Sequence, residues 1–289
     1  MGTVVASGDV TPGRLRRPGQ PFTAVQAASK VPQITALFWI IKILTTAQGE
    51  ALADYFAYRI DPFVAGGVAF VLLVVALALQ LRARQYVAWT YWLAVDMVAI
   101  FGTMAADGMH IKLHIKYAVS SAFFAVVLTV VLVCWYLTER TLSIHSIRTP
   151  RREAFYWAAV LATFALGTAL GDMTATTLHL GFLASGVMFT VIFFIPGVLH
   201  WRFGLNSIVA FWWAYVVTRP LGASYADWLG VPKSVGGLGF GRGPVAIVLT
   251  IPIVALVAYL AVTRRDVEQP AATPPAPPPA PPGRGRHRA

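Results

Sequence analysis

The sequence predicts an all-α, polytopic membrane helix bundle, with eight transmembrane helices in four parallel two-helix repeats. Three observations carry this prediction. Hydrophobic residues make up 57% of the 289-residue chain and charged residues 12%, whereas soluble domains hold about a quarter charged residues. Runs at 62–81, 115–137, 180–199 and 244–262 approach the ~20 apolar residues that cross a hydrocarbon core of about 30 Å. One spaced motif also occurs four times, once ahead of each of those runs.

The first helix, near 32–57, carries Phe38-Trp39 followed by Gly49, Ala53 and Asp54. The second is the apolar run 62–81. The third, 86–108, repeats the motif as Tyr91-Trp92, Gly102, Ala106 and Asp107, and the fourth is the run 115–137. The fifth, 154–177, reads Tyr156-Trp157, Gly167, Gly171 and Asp172, and the sixth follows at 180–200. The seventh, 207–229, reads Phe211-Trp212, Gly222, Ala226 and Asp227, and the eighth lies at 244–263. The shared pattern is aromatic-Trp, nine residues, Gly, three residues, Ala or Gly, then Asp. Repeats so defined cover about 31–85, 86–150, 151–205 and 206–263, a single membrane domain over 31–263. The polar, basic segment 1–30 and the Pro/Ala/Arg-rich segment 264–289 are expected to be disordered tails.

Trp39, Trp92, Trp157 and Trp212 occupy the place of the characteristic tryptophan in a bacterial membrane-protein family built from four tandem repeats, each with two transmembrane stretches. The chain resembles that family over roughly residues 31–263. The resemblance implies the architecture and brings no activity with it.

The formal charge of +11 is distributed as a topology signal. Sixteen basic residues fall in the tails and even-numbered loops against five in the odd-numbered loops. The positive-inside bias then places both termini in the cytoplasm of a bacterial inner membrane. The partners expected are the lipid bilayer and a small cation, with no nucleic acid and no cofactor. The single cysteine, Cys134, lies inside an apolar run and excludes an intrachain disulfide.

At about 100° per residue, the Trp, Gly, small residue and Asp of each repeat share one helix face. Gly49 with Ala53, Gly102 with Ala106, Gly167 with Gly171 and Gly222 with Ala226 are small pairs four apart, which let membrane helices approach closely. The aromatic-Trp pairs, near the start of each odd helix, are expected as interfacial anchors, their inward phase leaving open a role as wedges between repeats. Six of the twelve acids fall in odd helices: Glu50, Asp54, Asp96, Asp107, Asp172 and Asp227. Lys42, Thr46, Thr103, Thr168 and Arg219 share their face, so the odd helices are expected to surround a polar interior. Six acids face only two bases there, a mismatch met along cation and proton pathways. Trp to Asp spans about 22 Å of helix rise, which puts the aspartates in the outer half of the membrane.

Seven residues beyond the repeat aspartates stand Asp61, His114, His179 and Ser234, and His110 lies four before His114. His110, His114, His179 and Asp61 form a weak candidate metal set. Arg219-Pro220 is expected to interrupt the seventh helix. No activated nucleophile stands out, so an enzyme is not expected. Two functions remain: a transporter or channel for a small cation, divalent metal or proton included, through an interior lined by the odd helices, or a non-transporting scaffold or sensor whose buried polar network is structural.

Overall fold

The computed structural model describes residues 29–267, the side chains of residues 111 and 112 excepted. Of the predicted tails, 1–30 and 264–289, residues 1–28 and 268–289 lie outside the described residues. Eight long helices follow in the expected order: α1 (Ala36–Arg59), α2 (Pro62–Arg82), α3 (Ala88–Leu113), α4 (Tyr117–Glu139), α5 (Pro150–Asp172), α6 (Phe182–Phe203), α7 (Ser207–Gly230) and α8 (Arg242–Thr263). No strand occurs among the described residues.

Local chemistry fixes the ends. Thr35, Asp61, Thr149 and Asn206 accept hydrogen bonds from the first free amides of α1, α2, α5 and α7, the role short polar side chains fill at helix starts. Pro62 and Pro150 occupy first-turn positions, where no amide is needed. α6 stops at Gly204 with φ +72°. α7 runs unbroken through Pro220, contrary to the expected interruption. The proline's neighbours explain this: a side chain on Gly167 would meet Pro220 Cδ at 2.8 Å, so the ring is held in a slot that α5 leaves open for it.

The four odd helices form an inner ring, closed by one contact repeated four times. A Cβ placed on Gly49 would collide with Ala99, on Gly102 with Phe164, on Gly167 with Arg219 and on Gly222 with Thr46. In every case the residue ten positions after the repeat Trp meets the residue seven after the next repeat's Trp. The last repeat meets the first. The glycines are therefore the points where helix backbones touch.

Even helices surround the ring, each packed on the odd helix of the following repeat: α2 on α3, α4 on α5, α6 on α7, and α8 back on α1. Contacts of α1 with α2 and of α3 with α4 are much sparser. The outer faces of the even helices are apolar and exposed, as at Phe70, Val126, Val191 and Ile251. Six helices (α2, α3, α4, α5, α6 and α8) are long and apolar enough to cross a membrane. α1 and α7 fall outside that set because they carry Lys42, Glu50 and Asp54, and Arg219 and Asp227. Both are inner helices, and these groups lie inside the ring or on the cavity it encloses.

At the end where the odd helices begin, the described chain ends are pinned. Lys30 pairs with Glu153, which also accepts from Gln80. The Gln33 amide donates to the Asp266 carbonyl, and the Tyr86 hydroxyl to the Asp266 carboxylate. Burial pushes both Tyr86 and Asp266 up from their ordinary pKa values, which keeps the proton in this pair. Lys30 and Asp266, which the sequence reading assigns to the tails, are 5% and 2% exposed. The packed domain extends past both predicted limits.

Candidate functional site

The ring interior is layered along its axis by distance from the repeat Trp. At the start, each residue preceding a Trp lies against the next repeat's Trp: Phe38 on Trp92 (ring centroids 5.6 Å), Tyr91 on Trp157 (5.6 Å), Tyr156 on Trp212 (6.3 Å) and Phe211 on Trp39 (5.8 Å). Trp92, Trp157 and Trp212 are buried and Trp39 is half-buried. The expectation of interfacial anchors is corrected here: these pairs are wedges between repeats, and they close that end of the ring. The cause is their phase, which turns them inward where an anchor would face the headgroups.

One turn further on, Lys42 is fully buried, its ammonium 4.0 Å from the Phe164 ring centroid and 4.4 Å from that of Tyr215, with no hydrogen-bond partner among the described residues. Aromatic faces substitute for water around this charge. Above it, Arg219 of the fourth repeat reaches all three others. Its guanidinium donates to the Thr46 carbonyl (3.0 Å), to the Glu50 carboxylate, to the Thr103 hydroxyl and to the Thr168 hydroxyl (2.8 Å). Glu50, Thr103 and Thr168 all stand eleven residues after their repeat Trp, so one arginine fills the axis against three equivalent positions. Arg219 is fully buried and Glu50 is 3% exposed.

Beyond this layer the axis opens. A cavity of about 740 Å³ is lined by Asp54, Asp107, Asp172 and Asp227, with Glu50 at its floor. All four repeat aspartates thus reach one cavity from four helices. Tyr58, Phe63 and Leu113 on its wall are exposed and mark its mouth. Asp54 pairs with Arg242 (2.6 Å). No hydrogen bond or ion pair from the described residues reaches the carboxylates of Asp107, Asp172 and Asp227, although Asp227 is only 8% exposed.

Arg242 escapes the sequence reading, which places it in an external loop. The glycine-rich segment 236–241 carries it inward: Leu238, Gly239, Phe240 and Gly241 donate amides to carbonyls at 228–231, folding the loop onto the end of α7. Gly236, Gly239 and Gly241 take positive φ values, which glycine adopts without strain. Arg219 and Arg242 are the bases that meet these acids, while Lys42 stands apart on its aromatic faces. Tyr58 and Tyr117 on the cavity wall carry no repeat signal and are found only through the fold.

Two sets of predicted residues are not brought to the cavity. Asp96 stands eleven residues before Asp107 on α3, about 16 Å of helix rise away, and does not line it; one of its carboxylate oxygens is buried without a partner. The candidate metal set His110, His114, His179 and Asp61 does not assemble. Asp61 caps α2. His110 donates to the Ile115 carbonyl (2.7 Å) and stacks on Tyr117. His114 and His179 are exposed at helix ends with positive φ. Sequence spacing placed these residues at one membrane end, but each is used locally by its own helix terminus. Among the described residues, the group of acids close enough to share a metal ion is Glu50, Asp54 and Asp227, whose carboxylate oxygens lie within 4.8 Å of one another.

The repeats coincide with four matches to one family model, described as a Repeat of Unknown Function (DUF347), at residues 37–86, 90–141, 155–205 and 210–266. No curated protein and no solved structure matches the chain. With the matched segments covering most of its length in the same fourfold register as the ring, the chain belongs to the DUF347 repeat family.

Proposed function

We propose that the chain crosses the membrane eight times with both termini in the cytoplasm, and that it carries a small cation which first binds in the aspartate cavity. α1 and α7, 24 residues each, rise about 36 Å and are long enough to span. The excess of basic residues at the end bearing the termini supports the orientation. The cavity then faces outward.

The observation that carries the reading is the set of carboxylates at Asp107, Asp172 and Asp227. They share one cavity, and no hydrogen bond or ion pair from the described residues reaches them, the nearest cations, Arg219 and Arg242, being bonded to Glu50 and Asp54. Acids kept unpaired at membrane depth are costly, about 2.5 kcal/mol or more each when ionised, and a bound cation offsets that cost. The closed aromatic and Arg219 layers favour an alternating carrier over an open pore.

The same closed layers favour a second reading, a non-transporting scaffold or sensor in which Arg219 only fixes helix register. Flux separates the two. In the carrier, Asp107→Asn, Asp172→Asn and Asp227→Asn leave abundance near normal and abolish cation uptake into reconstituted vesicles. Wild-type vesicles that pass no proton, metal ion or organic cation under any imposed gradient would refute the carrier.

A further inference from the structure

Resting on the cation reading above, we infer that the cavity is built for an organic cation, a linear alkyl diamine or polyamine, and not for a bare metal ion. A hard divalent cation such as calcium takes six or more oxygen ligands, waters included, at about 2.3–2.6 Å and converging on one point. Glu50, Asp54 and Asp227 offer the convergence, but Arg219 already holds Glu50 and Arg242 holds Asp54. A metal entering that group shares two carboxylates with guanidinium cations that already bond one oxygen of each, and their positive charge opposes it; one of them is fully buried and bonded to residues of all three other repeats. The remaining acids, Asp107, Asp172 and Asp227, come from α3, α5 and α7 and do not form such a group.

Size and wall chemistry fit an amine. About 740 Å³ lies within the range of about 300–1,000 Å³ occupied by small-molecule sites. Between the acids the wall is apolar and aromatic, with Tyr58, Phe101, Met104, Tyr117 and Phe182. Methylene segments lie against such surfaces while each ammonium group takes one carboxylate. With Arg219 on Glu50 and Arg242 on Asp54, three carboxyl groups, Asp107, Asp172 and Asp227, remain without a bonded partner among the described residues, the number a triamine satisfies.

The cavity already treats one organic cation this way. Arg242 donates to Asp54 at 2.6 Å while its guanidinium lies 4.4 Å over the Tyr58 ring. Carboxylate plus aromatic face is the combination by which alkyl ammonium groups are recognised. Asp227, nine-tenths buried, on the cavity wall and reached by no hydrogen bond or ion pair from the described residues, is an open position of the same kind.

The test uses the full chain in phosphatidylcholine nanodiscs, whose neutral lipid does not itself attract polyamines. Titration calorimetry with butylamine, 1,4-diaminobutane, spermidine and MnCl₂ at one ionic strength is expected to rank affinity by ammonium count, each added group tightening binding about tenfold. Asp172→Asn is expected to remove about one such step for spermidine and to leave butylamine binding little changed. The wild-type ranking stands without any variant. Manganese binding that spermidine neither matches nor displaces overturns the amine assignment and leaves the cation reading intact. Absence of binding by all four probes overturns both.

Discussion

Gly222→Ala adds one methyl group where the ring closes. The new Cβ would stand 2.8 Å from Thr46 Cβ and 2.9 Å from the Ala47 amide nitrogen, with Thr46 Oγ1 closer still. Ordinary contact is about 3.5–4 Å, so α1 and α7 must separate by roughly 0.7–1 Å. Neither near atom is the tip of a flexible chain. Overpacking of this kind costs about 1–3 kcal/mol. The displaced Thr46 also supplies the carbonyl that receives Arg219 at 3.0 Å and the hydroxyl bonded to the Thr218 carbonyl at 3.1 Å, which raises the expected loss to about 2–4 kcal/mol. Gly171→Ala is the matched control: its methyl group would meet Pro220 and Ala223 at 3.7–3.8 Å, an ordinary contact. The expected result is a marked fall in the thermal midpoint and in the monodisperse fraction of purified Gly222→Ala, with Gly171→Ala close to wild type. Equal stability of the two variants would show that α1 and α7 do not approach at Gly222, and the ring would lose its closing contact.

Three further outcomes follow from the same geometry. Arg219→Met leaves Glu50 buried without its partner and is expected to cost about 3–5 kcal/mol, most of it recovered in the double variant Arg219→Met, Glu50→Gln; if the double variant is no more stable than the single, the pair is not the source of the cost. In a Cys134→Ala background, Lys233→Cys is expected to react with an impermeant thiol reagent from outside intact cells and Arg148→Cys is not, and the reverse pattern overturns the orientation. Trp92→Ala is expected to lower stability by about 3–5 kcal/mol, because the ring wedges between repeats, whereas an interfacial anchor would lose much less.

The fourfold spacing of Trp, Gly and Asp made the inner ring legible, since a helical repeat of marker residues names both the buried face and the contact points. It also located the convergence of Asp54, Asp107, Asp172 and Asp227. Which helix packs on which was not legible. Nothing in the apolar runs reveals that α2 leaves its own repeat for α3, because lipid-facing helices carry little patterning that distinguishes neighbours. Arg242 was misplaced for a related reason: its position depends on how the glycine-rich loop folds back, and glycines encode freedom, not direction. The histidines failed differently. His110 and His114 share a chain end with the aspartates, but the left-handed turn at His114 spends that end on terminating α3.

The docking of every even helix on the next repeat has a consequence for assembly. No repeat is a self-sufficient unit, since each lends its second helix to a neighbour and borrows one in return. α1, which leaves the ribosome ahead of the other seven long helices described, receives its cover from α8 and the counter-charge for Glu50 from Arg219, 169 residues away. Until α7 arrives, Glu50 lacks Arg219 and Lys42 lacks the Tyr215 face. A chain cut after three repeats would be missing both the helix that shields α1 and the arginine that fills the axis. Such fragments should be degraded, not accumulate as smaller functional rings, and the ring should mature only after α8 has inserted.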